Sequence, residues 1–218
     1  MYEVSLPIFA NAQANIESVR RFFVRALRIV CFLVFPLMFG LAAVSQEAVD
    51  LLLGIKWAET APLVLILSLS MPARIIGNLF PPALQGTGHP KTSLTNLMIA
   101  VFLIVPALAI AAVYGTTAVA LAWLIVFPLV MLIIIARSRK MIGVHWIDVG
   151  RALVPTVVAS FLMFVAVLYS GLFMSNAGVS IETRLPMMIF IGVAVFAALS
   201  YVGLREQLRE VLNIMRKD

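Results

Sequence analysis

Apolar residues gather in six blocks along the chain, at roughly 26–44, 61–84, 92–114, 117–136, 152–173 and 185–204. Each is about 20 residues long, the length that crosses a hydrocarbon core as a helix. Polar and turn-forming residues fill the gaps. "GTGHPK" (86–91) separates the second block from the third, and "YGTT" (114–117) the third from the fourth. "SVRRFFVRALRIV" (18–30) is a basic lead-in to the first block. After the last block, Leu204, Leu208, Val211, Leu212 and Met215 share one helical face, with Arg205, Arg209 and Lys217 off it. Both flanks read as helix ends that anchor at a membrane surface. The pattern predicts an all-α polytopic membrane helix bundle: a cytoplasmic amphipathic lead-in at 1–25, six spans within 26–204 and a cytoplasmic amphipathic tail at 205–218.

The second block contains an interior charge. In "SLSMPARIIGNLF" (68–80), Arg74 lies near the middle of an apolar run. Ser70, Arg74, Asn78, Pro81 and Gln85 follow one another at spacings of four, four, three and four. On a continuous helix they fall within about 80° of each other. A central arginine facing lipid costs about 2.5–3.5 kcal/mol even on the lenient insertion scale, so this stripe should face protein or a watery cavity. Arg74 is about 15 Å from the inner end of its span at 1.5 Å per residue, long for snorkelling alone. Two roles fit it. One is an anion site for phosphate or pyrophosphate, because a guanidinium matches phosphate oxygens. The other is a structural arginine bonded to a neighbouring helix. An arginine buried and paired with protein favours the second role; a solvated basic cavity favours the first. Gly77 and the Pro81–Pro82 pair should loosen the helix nearby and free carbonyls. Prolines recur at 36, 106, 128, 155 and 186, as they do in many membrane helices.

Composition agrees with the pattern. The chain is 63% hydrophobic and 12% charged, with a mean hydropathy of +1.09. Soluble domains carry about 25% charge. The net charge of +6 raises nucleic acid as a partner, but its placement argues against one. If the spans alternate, thirteen of the sixteen Lys and Arg residues fall on one side. Lys56 and Arg184 fall on the other, and Arg74 lies within a span. The basic side is the cytoplasmic one, so both termini are expected inside, with the cations anchored at anionic lipid. Trp57, Tyr114, Trp146, Tyr169 and Tyr201 lie near span ends, where amphipathic rings settle; Trp123, inside the fourth span, reads as a packing residue.

No catalytic or metal set is legible. His89 and His145 occupy separate connectors without ligands at zinc spacing, and "GTG" at 86–88 is a turn rather than a phosphate cradle. No carboxylate lies within a span, so this chain has no visible intramembrane proton relay. Cys31 sits in an apolar run as a small packed hydrophobe. The expected chain is a non-enzyme without cofactor or metal. Only a pocket gathering His89 or His145 with Asp148 would change that.

The first part of the chain carries a resemblance. A Pro precedes a polar segment and a basic helix start ("LPIFANAQANIESVRRFFVRALRIV"). Phe35, Pro36 and Gly40 follow, then Leu52, Leu53, Gly54, Trp57 and Pro62, then "ALQGTGHPK" (83–91). In that order these elements resemble the region after the eighth helix of polysaccharide and lipid-linked oligosaccharide flippases. Those proteins belong to the multidrug/oligosaccharidyl-lipid/polysaccharide exporter superfamily. Beyond residue 92 the likeness rests on hydropathy and span count. The resemblance implies that the six spans correspond to helices nine to fourteen of a fourteen-helix, two-lobed protein. The missing half then comes from a longer chain or a partner chain, or the chain is a remnant. It also implies a bacterial inner membrane location and an undecaprenyl-pyrophosphate-linked oligosaccharide as substrate, for O-antigen, capsule or exopolysaccharide synthesis. The alternatives are an ion-coupled or multidrug antiporter of the same superfamily and a six-span scaffold without transport. No family motif aligns with Arg74. The candidate cavity residues Arg74, Asn78, Ser70 and Gln85 therefore rest on the polar stripe alone.

Overall fold

A computed structural model describes residues 16–203. The amphipathic face expected at 204–215 lies outside them. Among the described residues every regular element is helical: α1 (Ile16–Ala43), α2 (Ser45–Leu52), a 3-10 segment (Ile55–Thr60), α3 (Ala61–Gly77), α4 (Phe80–Gly86), α5 (Pro90–Ala112), α6 (Thr116–Ser138), α7 (Trp146–Asn176) and α8 (Ile181–Gly203). Six stretches are long and apolar enough to cross a membrane, with the 3-10 segment, α3 and α4 counted as one at Ile55–Gly86. These are the six blocks of the sequence.

The boundaries differ from the sequence pattern in physical ways. Helix α1 runs from Ile16 without a break, so the described part of the basic lead-in is one helix with the first span. No Gly or Pro occurs between Ile16 and Phe35 to stop it. The connector after α1 forms the extra helix α2, where Gln46 donates to Asp50 at 2.9 Å, an i,i+4 pair.

The prolines act unequally. Pro36, Pro106, Pro128, Pro155 and Pro186 each lie inside a continuous helix. A single proline removes one N–H. Pro81 and Pro82 remove two in succession, and there the second span breaks. Asn78 still donates to the Arg74 carbonyl at 3.1 Å, but Leu79 tightens onto Ile76 at 3.1 Å and α4 begins at Phe80. The carbonyls of Gly77 and Asn78 thereby lose their donors at helical spacing. The continuous helix expected over 61–84 is therefore two helices.

The turns follow their glycines. Gly88 (φ +82°) closes "GTGHPK", where the Thr87 hydroxyl donates to the Ala83 carbonyl at 2.8 Å, and Pro90 opens α5. Gly115 (φ +96°) links α5 to α6. Both sit in a left-handed backbone region that side chains with a Cβ avoid.

The described residues divide into two compact units, one of 16–31 and 72–153, the other of 32–71 and 154–203. In the first, Phe23 packs against Phe80 with ring centroids 4.9 Å apart, and Leu27, Ile76, Leu84 and Ile135 are buried. Arg20 clamps Asp148 through two bonds, of 3.0 and 2.9 Å. In the second unit, Met163, Val167, Met174 and Met188 form the core with Ala43 and Val44, and Phe32 meets Phe196 at 5.4 Å. Arg184 pairs with Glu47 at 3.2 Å, both side chains largely buried.

These ion pairs bear on topology. The first joins the lead-in to the fourth connector, the second the first connector to the fifth. Within each unit, segments assigned to one side by charge meet at one end. Arg184, an exception to the charge bias, is neutralised by Glu47.

Both units are apolar outside as well as inside. Phe102 (70% exposed) and Ile125 (69%) project from the first, Phe173 (76%) and Phe190 (74%) from the second. Water would penalise such surfaces; lipid does not. The chain is a multi-pass α-helical membrane protein.

Candidate functional site

Within the first unit, the C-terminal part of α3, α4, α5 and α6 enclose a cavity of about 460 Å³. Its shape follows from the break in the second span. Gly77, Asn78 and Pro81 line the wall where α3 gives way to α4, so the interruption faces space rather than a packed neighbour. Three of the four candidate cavity residues, Arg74, Asn78 and Gln85, also line it. Ser70 does not: it is fully buried, falls in the second unit, and donates to the Leu67 carbonyl at 2.7 Å.

Arg74 is exposed within this setting. Among the described residues it has no ion pair or hydrogen bond. Its guanidinium carbon lies 5.6 Å from the centroid of the Phe127 ring, a cation–π contact that leaves the N–H donors unused. The same ring stacks on Trp123, with centroids 4.4 Å apart and an 18° angle between planes. Trp123 is half-buried and lines the cavity, so it is more than the packing residue its position suggested.

Polar groups gather at one end. Gln85 reaches Ser93 at 3.4 Å. Asn96, almost fully buried, donates through Nδ2 to the Ser138 hydroxyl at 2.8 Å and accepts at Oδ1 from the Arg137 Nε–H at 3.0 Å. This triad ties α5 to α6 across 42 positions of sequence, and periodicity along one helix does not reveal it. Among the described residues the cavity lining has one cation and no carboxylate. Such a lining favours an anion, and the forked donors of Arg74 suit phosphate oxygens.

The other candidate chemistry lies elsewhere. Asp148 is engaged by Arg20, and its carboxylate also accepts from the His145 backbone N–H at 3.0 Å, with the His145 ring 3.6 Å away. This carboxylate caps the start of α7. Among the described residues, no group of three or more His, Cys, Asp or Glu side chains could hold a metal ion.

Fold and cavity define a polytopic helical membrane protein with a cationic site within its helices. Comparison with known proteins sets it among relatives. Residues 1–62 match the family described as "Polysaccharide biosynthesis protein". The chain is 28% identical over 170 residues to the lipopolysaccharide biosynthesis protein WzxC of Escherichia coli K12, an alignment covering 73% of this chain and 34% of that protein. It is 23% identical over 226 residues to the succinoglycan biosynthesis transport protein ExoT of Rhizobium meliloti, covering 98% of this chain and 43% of the relative. No solved structure matches. The chain is thus similar to polysaccharide biosynthesis proteins, one of which is named a transport protein. The chain spans about a third to two fifths of the length of the curated relatives it matches.

Proposed function

We propose that the chain is the C-terminal part of a membrane flippase that exports an undecaprenyl-pyrophosphate-linked oligosaccharide for polysaccharide synthesis, and that Arg74 holds a substrate phosphate. The observation that carries this reading is the exposed Arg74, which among the described residues has no ion pair or hydrogen bond and lines a cavity without carboxylates. A scaffold has no use for an uncompensated cation at that depth and would pair or replace it. Both named relatives serve polysaccharide synthesis, and one is named a transport protein. The remaining lobe and its helices belong to a longer chain or a partner. The location is the bacterial inner membrane, with the basic connectors and both termini cytoplasmic. Transport proceeds by alternating access, with Arg74 holding a phosphate while the glycan crosses.

The test is glycan export in cells lacking the native gene, complemented by the gene with and without Arg74→Ala. Loss of the one charged hydrogen-bonding partner of a phosphate should lower export by about tenfold or more. Arg74→Lys, a point charge without the planar fork, should retain part of the activity. Unchanged export by correctly inserted Arg74→Ala would remove the proposed role.

A further inference from the structure

The cavity is chemically ordered along its length. The α5 positions that line it run from Pro90 to Ile104, about 21 Å at 1.5 Å per residue. Near the start of α5 are the amides and hydroxyl of Gln85, Ser93 and Asn96. Asn96 is bonded to Ser138, so this end is level with the C-terminus of α6. Trp123 lies fifteen residues earlier on α6, about 22 Å away along its axis. Arg74 lies between these ends, over Phe127, one helical turn from Trp123. On the amide side the polar groups stand among Leu84, Leu94, Leu97 and Ile134; beyond Arg74 the lining is Ala100, Ile104 and Trp123, with no amide, hydroxyl or charge. The hydrogen-bonding amides thus lie on one side of the cation and are lacking on the other.

We propose that the cavity binds a glycosyl diphosphate lipid in one orientation, sugar at the Gln85–Ser93–Asn96 end, diphosphate on Arg74, first isoprene units against Trp123. This rests on the assignment of Arg74 to a substrate phosphate. The match is of chemistry to chemistry. Sugar hydroxyls both donate and accept, as do the amides of Gln85 and Asn96. Asn96 is held by Ser138 and Arg137, so its remaining N–H and lone pair present a fixed direction, while Gln85 has only the 3.4 Å contact to Ser93 and adapts. A branched hydrocarbon gains dispersion and desolvation against the indole and Ile104 and has nothing to offer the amides. A reversed ligand would set sugar hydroxyls against an apolar wall and leave them unpaired.

The test uses the whole chain in phospholipid nanodiscs with Trp57→Phe and Trp146→Phe, leaving Trp123 as the one indole of the three in the sequence. The ligands are farnesyl diphosphate, glucose 1-phosphate and farnesyl diphosphoglucose. Farnesyl diphosphate should change Trp123 emission, and glucose 1-phosphate should leave it unchanged. Gln85→Ala should weaken farnesyl diphosphoglucose binding by about tenfold, the worth of one net hydrogen bond, and leave farnesyl diphosphate within about twofold. Gln85 is half-buried with one long bond, so the variant should fold. A Trp123 response to the sugar phosphate but not to the farnesyl chain would overturn the orientation, as would equal weakening of both lipids by Gln85→Ala. Farnesyl diphosphate binding that needs Arg74 but leaves Trp123 silent would overturn the orientation alone. Binding unaffected by Arg74→Gln would remove the phosphate assignment and the orientation with it.

Discussion

Asn96 shows how much one side chain carries. It lines the cavity, satisfies a fully buried Ser138 hydroxyl and steadies Arg137. Asn96→Leu should leave Ser138 without its partner and lower stability by about 1–3 kcal/mol, measured by chemical unfolding in micelles. Adding Ser138→Ala should recover part of that loss, since removing both partners of a buried bond costs less than removing one. If Asn96→Leu is as stable as wild type, the triad contributes nothing. Arg74 was legible in the sequence because a charge in an apolar run is conspicuous. Asn96 was not, because a neutral amide in a span stands out little and its partners are 41 and 42 positions away. Ser70 shows the opposite error: it shares the stripe's angle, yet its hydroxyl turns back to the Leu67 carbonyl. A small hydroxyl in a membrane helix satisfies itself locally and need not face a cavity.

At the scale of elements, hydropathy located six spans because each needs a long apolar run. The helix α2, with its short polar sequence, gave no such signal. It supplies Glu47, whose pairing with Arg184 fastens it to the start of α8 inside one unit. Glu47→Ala would leave Arg184 largely buried and unneutralised, and stability should fall by about 3 kcal/mol. The double variant Glu47→Ala/Arg184→Ala should be less damaged than the sum of the single ones, a positive coupling in a double-mutant cycle. Strict additivity would mean that the pair does not interact energetically. The broken second span was half legible. Two adjacent prolines announce a break, but only the fold shows that the break opens on a cavity. Five isolated prolines looked similar in sequence and left their helices intact, since each withholds a single N–H.

At the scale of the molecule, the topology read from Lys and Arg placement leads to a direct test. The charge bias assigns Thr116, beside Gly115, to an outer connector and Lys140 to an inner one; both are exposed. On intact cells, a membrane-impermeant maleimide should label Thr116→Cys and leave Lys140→Cys unmodified until the cells are opened. The reverse pattern would invert the orientation. Cys31 is buried and should add no background. The alternation is the sequence's own expectation, since membrane charge bias acts on whole connectors. The cavity was not, because it depends on four helical segments meeting. A further consequence attaches to Arg74. Midway through a span, a charge stands inside the voltage drop of the membrane. A potential of 100 mV acts on a full elementary charge with about 2.3 kcal/mol, so a charge at half depth feels about 1.2 kcal/mol. An anion that settles on Arg74 changes the charge held within that field. Filling this cavity is therefore an electrical event, and the cell's resting voltage bears on how readily it fills.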